Sequence, residues 1–245
     1  ISLIVGVIFG SQFNANWSEI LLMFNAQKFG TTDPQFGLDN GFYVFVLPGL
    51  KLVLAAVAML LGVGLVFSLV THVLMGGIRI TMPVNGRGLF SITKRARRQL
   101  GIWLILNMLA WSVRQVLGVF EQLTVQGSRI TGASYTAVHA NIPVTFIMAA
   151  LTAILGVVLG VWLMRSHALE GQASIGVRAS AALKAWRVPV IAIAATVVVG
   201  MVLTIAWPIL LQRFRVNPNA QEMESTYIQR NIDATRAAYG LDKLK

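Results

Sequence analysis

Four apolar runs, at about 46–73, 100–123, 143–164 and 188–211, govern what this chain can fold into. An α-helix rises about 1.5 Å per residue, so each run is long enough to cross a hydrocarbon core about 30 Å thick. Hydrophobic residues make up 56% of the chain and charged residues 12%, with a mean hydropathy of +0.71. A soluble domain carries about 25% charged residues. Lipid is therefore the expected solvent. The predicted fold class is all-α: a polytopic transmembrane helical bundle with an amphipathic interfacial helix, forming the N-terminal membrane part of a longer chain.

The segments outside the four runs divide as follows. Residues 1–10 (ISLIVGVIFG) are too short to span and read as the end of an earlier transmembrane span. Residues 11–45 read as an extracytoplasmic segment. In it Trp17, Leu21, Phe24 and Phe29 fall near helical spacing, predicting an interfacial helix. Turn chemistry follows in Asp33-Pro34, Gly37 and Asp39-Asn40-Gly41. Residues 46–211 form the four-span region, with Pro143 and Pro189 expected at first-turn positions. Residues 212–245 read as the start of an extracytoplasmic domain. They include a polar helix over 222–240 that Gly240 stops.

Charge sets the expected orientation. The 74–99 loop holds Arg79, Arg87, Lys94, Arg95, Arg97 and Arg98, and the 165–187 loop holds Arg165, Arg178, Lys184 and Arg187. Residues 11–46 hold only Lys28, and residues 124–142 only Arg129. The positive-inside rule makes the 74–99 and 165–187 loops cytoplasmic and the C-terminal tail extracytoplasmic, in a bacterial plasma (inner) membrane. Arg213 and Arg215 lie on the other side, which the rule tolerates in long translocated regions. The net charge of +11 thus fits anionic lipid headgroups, and no nucleic-acid partner is expected. Lys94-Arg95-Ala96-Arg97-Arg98 reads as a topology signal.

Motifs for chemistry are sparse. There is no phosphate loop, HExxH, GxSxG or dinucleotide fingerprint, and no cysteine. His72, His139 and His167 fall in separate loops or span ends. Arg114 and Glu121 share a helix face about 10 Å apart along the axis, and form a candidate intramembrane polar site. Lys51 is expected to snorkel to the interface. Asp33, Asp39, Tyr135 and His139 form a candidate outer-interface site, without ligand spacing diagnostic of a metal. Gly156 and Gly160, like Gly6 and Gly10, make a GxxxG step suited to close helix packing. No cofactor is expected.

Four stretches occur in order: FGTTDPQFGLDNGFYVF at 29–45, GGIR at 76–79, GASYTAVHANIP at 132–143 and QRFRVNPNAQEMESTYIQRNIDATRAAYGL at 212–241. Together they resemble uncharacterised protein family 0182, large bacterial membrane proteins common in actinobacteria and also found in cyanobacteria. The resemblance implies roughly seven N-terminal spans followed by a large extracytoplasmic domain. It assigns no reaction. The family pattern places Asp-Arg-aromatic-Glu before the GASY loop, whereas this chain has Gly118-Val119-Phe120-Glu121.

Three functions remain open. The favoured one is non-enzymatic: spans that anchor or scaffold a large outside domain, or serve as an accessory subunit of a membrane complex, with the bilayer and a membrane protein as partners. The others are a transporter or channel component using Arg114 and Glu121, and a lipid- or envelope-modifying enzyme at the outer leaflet.

Overall fold

The computed structural model describes residues 2–80, 90–124, 132–166 and 175–241. His167, Arg87 and Arg129 lie outside the described residues. The helices are α1 (Ser2–Phe24), α2 (Leu47–Leu74), α3 (Lys94–Glu121), α4 (Ile142–Arg165), α5 (Ile175–Met201), α6 (Trp207–Leu211) and α7 (Ala220–Ala238). π-helical turns at Phe42–Val46, Ala137–Asn141 and Val202–Ala206 lead into α2, α4 and α6, and a fourth at Gln212–Val216 follows α6. Among the described residues, four helical stretches are long and apolar enough to cross a membrane: Phe42–Leu74, Lys94–Glu121, Ala137–Arg165 and Arg187–Val216. Three of them contain a whole apolar run, and Lys94–Glu121 holds all but the last two residues of the run at 100–123. Val66, Val70, Ile154 and Val198 stand exposed along them, as hydrocarbon-facing residues do.

Helix boundaries depart from the hydropathy pattern in two places. Pro189 is interior to α5, not in a first turn, because the helix already begins at Ile175. Residues 175–187 are rich in Ala, Leu, Lys and Arg, all strong helix formers, so the helix continues through polar sequence. The N-terminal apolar stretch and the aromatic segment after it form one helix, α1, broken at Asn16 (φ −126°, ψ 17°) and ending at Phe24. Phe29 therefore lies beyond it.

The chain divides into two compact units: Ile1–Ala56 with Arg114–Ile147 and Met201–Lys245, and Val57–Val113 with Met148–Gly200. In the second unit, glycines bring the helices together. A Cβ on Gly160 would lie 2.3 Å from Ile105 and 2.8 Å from the Gly101 carbonyl oxygen; one on Gly156 would lie 2.3 Å from Met108. The GxxxG step of α4 thus seats α3. Gly64 faces the Trp103 ring in the same way, at 2.4 Å. A short antiparallel hairpin, β1 (Ile78–Ile80) and β2 (Phe90–Ile92), pairs Ile78 with Ile92. Those two residues pack with Ala96 and Leu100 of α3, against Leu65, Trp162 and Leu163. Arg97 is 1% exposed, and its guanidinium donates to the Ser166 carbonyl. The basic cluster is therefore not uniformly a solvated face.

Gly160→Ala should destabilise the protein by about 1–3 kcal/mol, the range for overpacking a tight contact. Gly10→Ala, inside α1 with nothing within 4 Å, should not destabilise it, since Ala is the better helix former. Thermal unfolding of the purified protein in detergent checks both.

Candidate functional site

The first unit contains all the charged and aromatic residues singled out above as candidate sites, in three sets of contacts. The first is the 29–43 loop. Gly30 (φ +73°) and Gly37 (φ +68°) adopt left-handed conformations that other residues rarely take. Between them, the buried Asp33 carboxylate accepts the N–H groups of Gln35, Phe36 and Leu38 at 2.7–3.0 Å and the Tyr43 hydroxyl at 2.8 Å. Asp39 accepts the N–H groups of Phe29, Gly30 and Gly41 at 2.7–3.0 Å. The Phe29 amide, then those of Gly41 and Gly30, with Lys28 nearby, hold the Asp39 carboxyl below its ordinary value. Both carboxylates are thus engaged in holding backbone. Phe36 and Phe42 meet Phe120 of α3 edge-on, with centroids 5.0 and 5.6 Å apart.

The second set joins the turn before α4 to α7. Glu224 is 7% exposed, and its Oε2 accepts the Tyr135 N–H at 3.2 Å. The Tyr135 ring stacks on His139 at 4.1 Å and meets Tyr227 edge-on at 6.2 Å, with the Arg215 guanidinium 5.9 Å from its centroid. His139 Nδ1 donates to the Tyr135 carbonyl at 3.1 Å, which fixes the tautomer; the Tyr227 hydroxyl oxygen, 3.5 Å away, is a weak second acceptor. Burial raises the Tyr227 hydroxyl above its ordinary pKa, outweighing the opposing Arg230 charge. The Thr136 hydroxyl donates to Gln212, and Val216 is fully buried. Gly240 (φ +66°) ends α7 as the sequence indicates.

Tyr135 and His139 therefore come together, as do Asp33 and Asp39, but no hydrogen bond, ion pair or ring contact joins the two pairs. Among the described residues no three His, Asp or Glu side chains gather as a metal site. The sequence offers Glu224 and Tyr227 as no candidate, and Arg215 only as a charge on the outer side. A glutamate in a polar helix carries no local sign of a long-range contact, although the 212–241 stretch that holds it is one of the four resemblance motifs.

The third set surrounds Arg114 and Glu121. Glu121 forms an ion pair with Lys51 of α2. Lys51 thus has a partner on another helix, beyond the snorkelling expected of it. A cavity of about 230 Å³ opens beside the pair. Its polar lining is Asn16 and Glu19 of α1, Lys51 of α2 and Arg114 of α3, and Leu52, Leu54 and Leu117 supply apolar wall.

Comparison with known proteins adds the family context. The model of Uncharacterised protein family (UPF0182) matches residues 1–245. A UPF0182 protein of Bifidobacterium longum is 93% identical over 245 residues, covering 100% of this chain and 23% of that protein. One from Bifidobacterium adolescentis is 78% identical over the same span, with the same coverage of each chain. One from Corynebacterium diphtheriae is 35% identical over 239 residues, covering 97% of this chain and 22% of the relative. The chain thus spans less than a quarter of the length of these relatives. No solved structure matches it.

Asp39 supplies a pH prediction. Its folded-state pKa lies below the ordinary 3.8, so its contribution is present above that value and is lost as pH falls through the lower folded value. The amides of Phe29, Gly30 and Gly41 should exchange slowly at neutral pH and lose protection only below about pH 4. Hydrogen exchange across that range checks this, with Asp39→Ala expected to remove the protection at neutral pH.

Proposed function

This chain belongs to the uncharacterised protein family UPF0182, and we propose that it is a non-enzymatic membrane platform. Its spans anchor an extracytoplasmic region of the full-length protein and fix the direction in which α7 leaves the bilayer, as part of a membrane complex. The observation that carries this reading is the buried Glu224 carboxylate on the Tyr135 amide. Burying a carboxylate is costly unless it is hydrogen-bonded, so the contact fixes α7 against the turn before α4 rather than leaving it as a free tether. The fully buried Val216 and the Tyr135–His139–Tyr227 ring contacts hold the same junction. A chain serving only as a membrane tether would not need a packed junction at its exit.

The orientation in this reading follows the ten basic residues of the 74–99 and 165–187 segments against two in residues 11–46 and 124–142. It puts the first two segments in the cytoplasm and α7 outside the plasma membrane.

The test uses the full-length protein, tagged and extracted from native membranes in mild detergent. The wild type should co-purify with a stoichiometric membrane partner identified by mass spectrometry. Glu224→Ala should lose that partner while remaining in the membrane. It should also speed tryptic cleavage at Arg230 in α7 by about tenfold, since losing a hydrogen bond to a charged group costs about 1.5–3 kcal/mol. A wild type that purifies alone, or an α7 already cleaved at the variant's rate, would remove the reading.

A further inference from the structure

We propose that the cavity lined by α1, α2 and α3 in the first unit binds the head group of a zwitterionic lipid, with the ammonium on Glu19 and the phosphate facing Arg114. The cavity uses none of the residues that hold α7, so this proposal and the platform reading can fail separately.

Charge balance carries the first step. Glu19, Lys51 and Arg114 line the cavity, and Glu121 neutralises Lys51 from beside it. Two cations and two carboxylates sum to zero. Arg114 is already engaged by the protein, whereas the Glu19 carboxylate takes no hydrogen bond or ion pair among the described residues. The unspent valence in the cavity is therefore that of a carboxylate, which calls for an ammonium group. A simple cation would leave a net positive charge at the cavity, and a simple anion would meet Glu19 unfavourably. A zwitterion satisfies Glu19 and keeps the sum at zero. Its negative end lies on the side of the Arg114 guanidinium, whose five N–H donors leave room for a phosphate oxygen beside the partner it already has.

Geometry carries the second step. At about 230 Å³ the cavity has room for a head group. Leu52 and Leu54 of α2 and Leu117 of α3 lie on helices long and apolar enough to span, so the walls offer chains an apolar path. The break in α1 at Asn16 falls on the cavity lining. Irregular backbone within a membrane protein is tolerated where it lines a cavity. Close approach fixes Glu19 in place: a Cβ on Gly49 of α2 would lie 3.0 Å from the Glu19 carbonyl oxygen and 2.7 Å from Met23.

The experiment reconstitutes the full-length protein in nanodiscs with equal amounts of phosphatidylethanolamine and phosphatidylglycerol, then reads retained lipid by native mass spectrometry. The wild type should retain phosphatidylethanolamine over phosphatidylglycerol by about tenfold, the scale of one charge-assisted hydrogen bond. Glu19→Gln, close in shape, should reduce that preference to about twofold or less with unchanged thermal stability. Leu117→Phe, which narrows the cavity without altering a charge, should lower retention of the same lipid. No preference in the wild type, or a preference untouched by both variants, would overturn the proposal. Free phosphoethanolamine that displaces the lipid at equal concentration would overturn the lipid assignment in favour of a soluble zwitterion.

Discussion

Hydrocarbon offers no hydrogen-bond partner, so every polar group carried into the bilayer must find one within the protein. Much of this structure follows from how those partners are found. Thr145, Thr152 and Thr196 bond carbonyls one turn back on their own helix, at 2.7–2.8 Å. Asn107 donates to its own helix at Trp103 and across to the Leu61 carbonyl at 3.1 Å, and Ser112 donates to the Ala149 carbonyl at 2.7 Å. The last two cross between helices and fix which residues face each other. The close glycine contacts then set how near the helices come. Polar satisfaction and small-residue packing are thus two parts of one solution: the first sets register, and the second sets distance.

Three carboxylates hold backbone. Asp33 and Asp39 each accept three backbone N–H groups, and Glu224 accepts that of Tyr135. A carboxylate with several fixed donors acts as a staple, and the conformation it holds is one the backbone would not keep alone. In the 29–43 loop the staples make a rigid cap whose Phe36 and Phe42 press on Phe120. At the exit from the membrane the staple joins two segments 89 residues apart in sequence. Charged residues that look like candidate chemistry can therefore be fully engaged in holding structure, and a site hypothesis gains weight where a charge has no such engagement.

What the sequence made legible was local. Hydropathy over some twenty residues located all four spanning stretches, because lipid selects on a property that is additive along the chain. The turn at Asp33-Pro34 and the stop at Gly240 were legible because their conformations are written in one or two residues. The strand pair β1 and β2 was not, since three-residue strands are shorter than any periodicity that could reveal them. The early start of α5 has a signal, the Ala-rich ASAALKAW stretch, where helix propensity extends beyond the apolar run that hydropathy marks. The partners of Glu121 and Glu224 were beyond reach, because each lies on a distant segment brought near only by the fold.

Arg114 and Glu121 show why shared face and shared site differ. Seven residues on one helix separate two backbone positions by about 10 Å along the axis. Glu121 finds its ion-pair partner on another helix, at Lys51 of α2. Arg114, along the same helix face from Glu121, lines the cavity instead, together with Lys51 of α2 and with Glu19 and Asn16 of α1. The Gly118-Val119 sequence lies between them. Val119 is fully buried and Gly118 has open space at its Cβ position, so no further charge from this turn of α3 enters the balance.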